Sequence, residues 1–173
     1  KGTTKTDGRL RQTEEFGMRI NIKKTKAMVI SKRETQRVEE YLHNEKLEQV
    51  TEFCYLGSMI TADARCQKEI KRRIVMAKEA FNKRGELLRG SLSVEMKKRM
   101  VKALIWSVAL YGSETWTMTA EEVRRLEAFE MWIWRRMCKI SWMDHITNEE
   151  VLRRVGEKRS LMQTIRVKQK NWI

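Results

Sequence analysis

Near Asp63 the spacing of apolar residues changes, and the change divides the chain into two kinds of structure. Before it, apolar residues alternate with polar ones or gather in short β-prone blocks. Met18, Ile20 and Ile22 alternate with Arg19, Asn21 and Lys23, the period of a half-buried strand. Residues 27–30 and 53–60 are short blocks with β-compatible side chains, and 45–49 is a weaker one. After Asp63, Ile70, Ile74, Ala77 and Phe81 recur at i, i+4, i+7 and i+11, an apolar stripe on a long helix that continues to Leu88. The chain contains no Pro, where average usage would give roughly nine; that absence suits helices, whose interiors Pro breaks. The pattern predicts an α+β fold, predominantly α-helical. A small antiparallel sheet is expected within 10–62 and a basic helical bundle over 63–173, with the polar residues 1–9 as a disordered arm.

Local signals place the elements. Gly17 is expected to stop a short helix at 10–16. The basic link Lys23, Lys24, Thr25, Lys26 would join strands 18–22 and 27–30 as a hairpin, and the polar stretch 31–44 reads as an exposed excursion. Gly57 inside 53–60 marks a bulge or a close backbone approach. Gly85 interrupts the first long helix and Gly90 closes it. Ser93 caps the next helix, whose first half is basic and whose second half, 103–111, is apolar nearly all round and so expected at the bundle centre. Thr119 with Glu122, and Thr147 with Glu150, have capping-box spacing. The helix after Thr119 carries Val123, Leu126, Phe129, Ile133 and Met137 on one side. Trp132 and Trp134 cannot both face that way, which leaves at least one near the surface. Gly156 stops a short helix, and a last basic helix begins near 158.

Lys and Arg number 37 against 23 Asp and Glu, a net charge of +14. Such a chain favours polyanionic partners, and phosphate neutralisation is the use that needs most Lys and Arg. A solvated basic face and a membrane surface are the other readings. Cys54, Cys66 and Cys138 are odd in number and lack metal spacing, which points to a reducing, intracellular setting, nuclear or cytoplasmic. The longest nearly apolar run is too short to span a bilayer, so no membrane role is expected. Asp occurs only at Asp7, Asp63 and Asp144, and the clustered carboxylates of a two-metal site have no local motif here. His43 and His145 are isolated, and no metal or cofactor motif is present. What remains is basic surface interleaved with aromatic residues, which can stack on bases. Most of these aromatics sit at helical spacing and read first as core; Tyr55, two residues from Gly57 in a short strand, is the candidate platform. Lys71, Arg72, Arg73 and Lys78 cluster on the first long helix as candidate phosphate contacts.

The blocks GMRINIKKTKAMVIS, FCYLGSMI, KEIKRRIVMAKEAFNK, LYGSETWTM, RRLEAFEMWIWRRM and SWMDHITNEEVLRRVGEKRSL succeed one another in order. Over about 16–173 this series resembles the C-terminal part of the reverse transcriptases of non-LTR (LINE-type) retrotransposons. The resemblance implies that 17–30 is the last palm motif before the primer grip, with Lys24 at the position of a possible general acid for the leaving pyrophosphate. It implies that 53–60 is the primer grip, with Tyr55, Leu56 and Gly57 at its tip, and that the later basic helices are a thumb. The partner would be an RNA or DNA primer–template duplex, together with the palm and fingers of a parent polymerase. The family's metal-binding Asp residues precede the Gly17 block. This chain by itself is therefore expected to be inactive, with Mg2+ required only in an intact polymerase. The rival expectation is a decayed or domesticated fragment that binds a protein partner and has no nucleic-acid role.

Overall fold

The computed structural model describes residues 17–31, 39–42 and 44–172, without the side chain of Trp142. The expected arm at 1–9, the helical turns at 10–16 and His43 lie outside the described residues. The described chain divides into two compact units. One runs up to Tyr55 and includes Met59–Ala64; the other consists of Leu56–Ser58 with the residues from Arg65 onward. Short strands and mostly helices give an α+β fold that is predominantly α-helical.

In the first unit the strands are β1 (Lys26–Ala27), β2 (Tyr41–Leu42), β3 (Glu45–Lys46), β4 (Glu48–Gln49) and β5 (Glu52–Tyr55), with most of β6 (Ser58–Thr61). They form three two-stranded ladders. β1 runs parallel to β4, Lys26 opposite Glu48 and Ala27 opposite Gln49, and the Val50 N–H extends the pairing to the Ala27 carbonyl at 2.9 Å. β2 and β3 are antiparallel, Tyr41 opposite Lys46. β5 and β6 are joined by Leu56 and Gly57 alone, a two-residue hairpin.

Three strand expectations change. The expected antiparallel sheet is three separate ladders, of which β1 with β4 is parallel. Residues 18–22 form no strand. The Asn21 carbonyl accepts from Lys24 N–H at 3.0 Å and from Thr25 N–H at 2.9 Å, and Asn21 Oδ1 also accepts from Lys24 N–H. An Asn side chain that bonds nearby backbone competes with a ladder, so the chain turns at the basic link and β1 pairs with β4 instead. The polar excursion 31–44 contains β2, because Leu42 is buried, only 2 % exposed.

The second unit holds α1 (Gln67–Lys83), α2 (Gly85–Arg89), α3 (Val94–Met100), α4 (Trp106–Ala109), α5 (Ala120–Met137), α6 (Asn148–Val155) and α7 (Leu161–Trp172). Ile70, Ala77, Phe81 and Leu88 are buried as the stripe requires, and the break between α1 and α2 falls at Arg84, beside Gly85. They pack with Leu126, Phe129, Ile133, Trp134 and Met137 of α5, and with Val151, Leu161 and Ile165 of the last two helices. Ser93 Oγ accepts the Met96 N–H, capping α3. The Glu122 carboxylate accepts the Thr119 N–H at 2.8 Å in a capping box. At α6 only half of the box forms. Thr147 Oγ1 accepts the Glu150 N–H, while the Glu150 carboxylate turns to Arg153 and Arg154.

Between α3 and α4, Val101–Ile105 is a π turn. Its extra residue rotates the next helical turns by about 100°. Ile105, Trp106, Ala109 and Leu110 face the core, while Ala103, Leu104, Ser107 and Tyr111 are exposed. The segment 103–111 is thus buried on one side, not all round, and Tyr111 is left outside the core for another use.

Candidate nucleic-acid interface

Two clusters in the second unit bear on the expected site. The first is the hairpin tip. Leu56 has φ +47° and Gly57 φ +79°, so both central residues are left-handed, as a type I′ turn demands. Gly tolerates this; a Leu in that position carries a steric cost. The tip is held by side chains. Arg72 donates to the Gly57 carbonyl at 2.9 Å, and Arg73 donates to the same oxygen. The Tyr111 hydroxyl donates to the Leu56 carbonyl at 2.9 Å. Arg73 is itself buried, its Nε on the buried Glu69 carboxylate at 2.6 Å and its guanidinium 4.4 Å from the centre of the Tyr111 ring.

This placement divides the residues marked from sequence. Leu56 and Gly57 come together with Arg72 and Arg73, but the two arginines face the turn. Arg73 is buried and does not offer its guanidinium to solvent. Lys71 is exposed, and Lys78 lies two turns further along α1 on the same side. Lys78 Nζ is 5.2 Å from the centre of the Trp132 ring. In the first unit Tyr55 is exposed on β5, and Lys24 is exposed in the turn that Asn21 makes.

The second cluster is a cleft of about 520 Å3 lined by Arg89, Trp132, Arg135, Arg136, Lys139, Ile140 and Ser141. Four of the seven are cationic and none is acidic. Arg136 lies with its guanidinium 5.3 Å from the Trp132 ring centre, and Phe81 meets that ring edge-on at 5.4 Å. Arg135 is held by the Ile146 carbonyl and by Asn148 Oδ1 at 3.1 Å. Trp134 is fully buried and Trp132 partly so, as the two-residue spacing requires. The i, i+4 pairing of Trp132 with Arg136 was available in the sequence; Arg89 and Lys139 were not, because folding alone brings them to one cleft.

Several basic residues are engaged internally. Lys97 Nζ donates to the Gly90 carbonyl at 2.7 Å. Lys98 is buried between Glu95, the Gly156 carbonyl and Glu157. The Glu95 carboxylate, more than Glu157, raises the Lys98 ammonium above its ordinary range against the effect of burial. Hydrogen bonds from Arg153 and then Arg154 bring the Glu150 carboxyl down to about 2. Lys97 and Lys98 thus count toward +14 while directed into the fold, whereas Arg153 and Arg154 stay exposed and share one carboxylate.

Among the described residues no group of three or more His, Cys, Asp or Glu is placed to hold a metal ion. Asp63 accepts from the Thr61 hydroxyl at 2.6 Å and Asp144 from the Ser141 N–H at 2.7 Å, so both serve local turns. No described helix is long and apolar enough to cross a membrane. Comparison with protein-family models, curated proteins and solved structures returns no match.

Proposed function

We propose that this chain is the end-of-palm and thumb region of a non-LTR (LINE-type) retrotransposon reverse transcriptase, and that its own activity is to bind a primer–template duplex without catalysing synthesis. The observation that carries the reading is the hairpin tip. Leu56 and Gly57, two of the three residues that the family resemblance places at the primer-grip tip, form a left-handed two-residue turn that is strained at Leu56. Two arginines and a tyrosine fix its carbonyls. Strain held in place by surrounding side chains is characteristic of functional sites, and a rigid tip is what positioning a primer end requires. Leu56, 75 % exposed, is presented outward.

In this reading Lys71 and Lys78 supply phosphate contacts along α1. Arg72 and Arg73 position the tip and do not meet the nucleic acid. Lys24 would act only within an intact polymerase, where the rest of the palm, the fingers and a Mg2+ site complete the reaction.

The test is fluorescence anisotropy with a labelled primer–template duplex, titrated across salt. The expected result is affinity that falls with a log–log slope of about −0.9 for each phosphate neutralised, and about a tenfold loss in Lys71→Glu at low salt. Absence of duplex binding at low salt would overturn the reading in favour of a protein-interaction module.

A further inference from the structure

The cleft at the end of α5 has features that a duplex-binding face does not need. Its cations come from separate places: Arg89 closes α2, Arg135 and Arg136 lie in the last turn of α5, and Lys139 stands just beyond it. A helix C-terminus attracts cations through its dipole. That accounts for the last turn of α5. It does not account for a tryptophan among them, nor for the conformation of Lys139.

Lys139 has φ +57°. Its N–H donates to the Arg136 carbonyl at 3.3 Å, and the Ile140 N–H donates to the Arg135 carbonyl at 2.9 Å. This is a Schellman end to α5, with Lys139 in the left-handed position that Gly ordinarily fills. A lysine there carries a steric cost that Gly would avoid. The cost falls on a residue whose side chain lines the cationic cleft. Arg89 is similarly accommodated by Gly85, where a Cβ would overlap the Arg89 guanidinium.

We infer that this cleft binds an unpaired nucleotide of a single-stranded segment, with the base stacked on Trp132 and the adjoining phosphate held by Arg136 and Lys139. The inference rests on the nucleic-acid reading above and adds a second site to it. The volume suits a small-molecule moiety. The lining combines the two recognition elements of single-strand binding, an aromatic face and a positive wall. Arg136 is exposed on a flexible stem, so its guanidinium can leave the ring for the phosphate as the base enters. An acidic peptide would match the cations but has no planar group to replace Arg136 on the indole face.

The experiment compares a blunt duplex, the same duplex with a single-stranded overhang, and an overhang of identical length made abasic. The variants are Trp132→Leu, Lys139→Gly and Lys71→Glu, each checked by thermal melting. The expected result is that the wild-type chain binds the base-bearing overhang more tightly than the blunt duplex. Trp132→Leu and Lys139→Gly should remove that gain, about tenfold; Lys139→Gly should leave blunt-duplex affinity unchanged, while Lys71→Glu should weaken the blunt duplex. Lys139→Gly relieves the left-handed lysine and is expected to melt no lower than wild type, so its effect does not depend on whether Trp132→Leu folds. If the abasic overhang binds as well as the base-bearing one, or Lys139→Gly retains full overhang affinity, the inference is overturned while the duplex reading stands. If no nucleic acid binds but polyglutamate does, both fall and an acidic protein partner takes their place.

Discussion

Tyr111 donates its hydroxyl to the Leu56 carbonyl at 2.9 Å while its ring receives the Arg73 guanidinium at 4.4 Å. Arg73 in turn holds the next carbonyl of the turn, that of Gly57. Two successive backbone oxygens are thus fixed by two side chains that also touch each other. The position of Tyr111 outside the core, which makes this possible, results from the π turn at Val101–Ile105.

The two holders should differ in cost. Tyr111→Phe loses one hydrogen bond to an exposed turn, worth about 1 kcal/mol, and keeps the ring under Arg73. Arg73→Met also removes the closer of the two arginines on the buried Glu69 carboxylate, leaving Arg72 at 3.3 Å, and the loss of a buried charge-assisted hydrogen bond costs about 1.5–3 kcal/mol. Urea unfolding of the single variants, and of Arg73→Met combined with Glu69→Gln, checks this. The double variant should recover part of the loss. A loss in Arg73→Met no larger than in Tyr111→Phe would show that Glu69 does not depend on Arg73.

Leu56→Asn should stabilise the chain by about 1 kcal/mol, because Asn-Gly is the preferred pair for a type I′ turn and Leu is strained there. Thermal melting reads the gain. Binding to the duplex should weaken in the same variant if the exposed Leu56 side chain makes contact, so stability and affinity would move in opposite directions.

The helical half was largely legible in the sequence, because its signals are local. The stripe Ile70, Ala77, Phe81 is buried as spaced, and Ser93, Thr119 and Gly156 cap where their types dictate. The strands were less so. A two-residue ladder such as β1 with β4 has too few residues to show a period, and its partner is set by distant chain. Alternation at Met18, Ile20 and Ile22 was outweighed by the Asn21 side chain. At the candidate site, residue type marked Lys71 and Lys78 but did not separate them from Arg72 and Arg73. That separation depends on Glu69, Gly57 and Tyr111, which α1, the hairpin and the π turn bring to one place.

Lys98 links α3 to the end of α6 through Glu157 and the Gly156 carbonyl. Its raised pKa means that its contribution is fully present below the unfolded-state value of about 10.4 and is lost as pH rises through the folded value. Lys98→Met should cost about 1 kcal/mol at neutral pH, by losing its hydrogen bonds to Glu95 and the Gly156 carbonyl, while Glu157 keeps Lys102. The gap between the two proteins should narrow in strongly alkaline buffer. Paired denaturation curves at pH 7 and about pH 11 provide the check, and a gap that stays constant would exclude the ammonium as its source.

Glu130 is a buried carboxylate that caps a helix from another element. Its Oε1 accepts the N–H groups of Ser160 at 2.9 Å and Leu161 at 3.2 Å, at the start of α7. An acid there suits the helix dipole, yet burial raises the Glu130 carboxyl above the usual range, against the lowering effect of those N–H groups. The raised value sets the sign. Its stability contribution is fully present below the unfolded-state pKa of about 4.3 and is lost as pH rises through the folded value. Glu130→Gln keeps an acceptor oxygen and cannot ionise, so the difference in melting temperature between it and the wild type should shift in favour of Glu130→Gln between about pH 4 and pH 7. Glu130→Ala removes the cap and should cost about 1–2 kcal/mol across that range. A pH profile of Glu130→Gln parallel to the wild type would show that Glu130 is ionised in the folded chain without penalty, and that the cap outweighs burial.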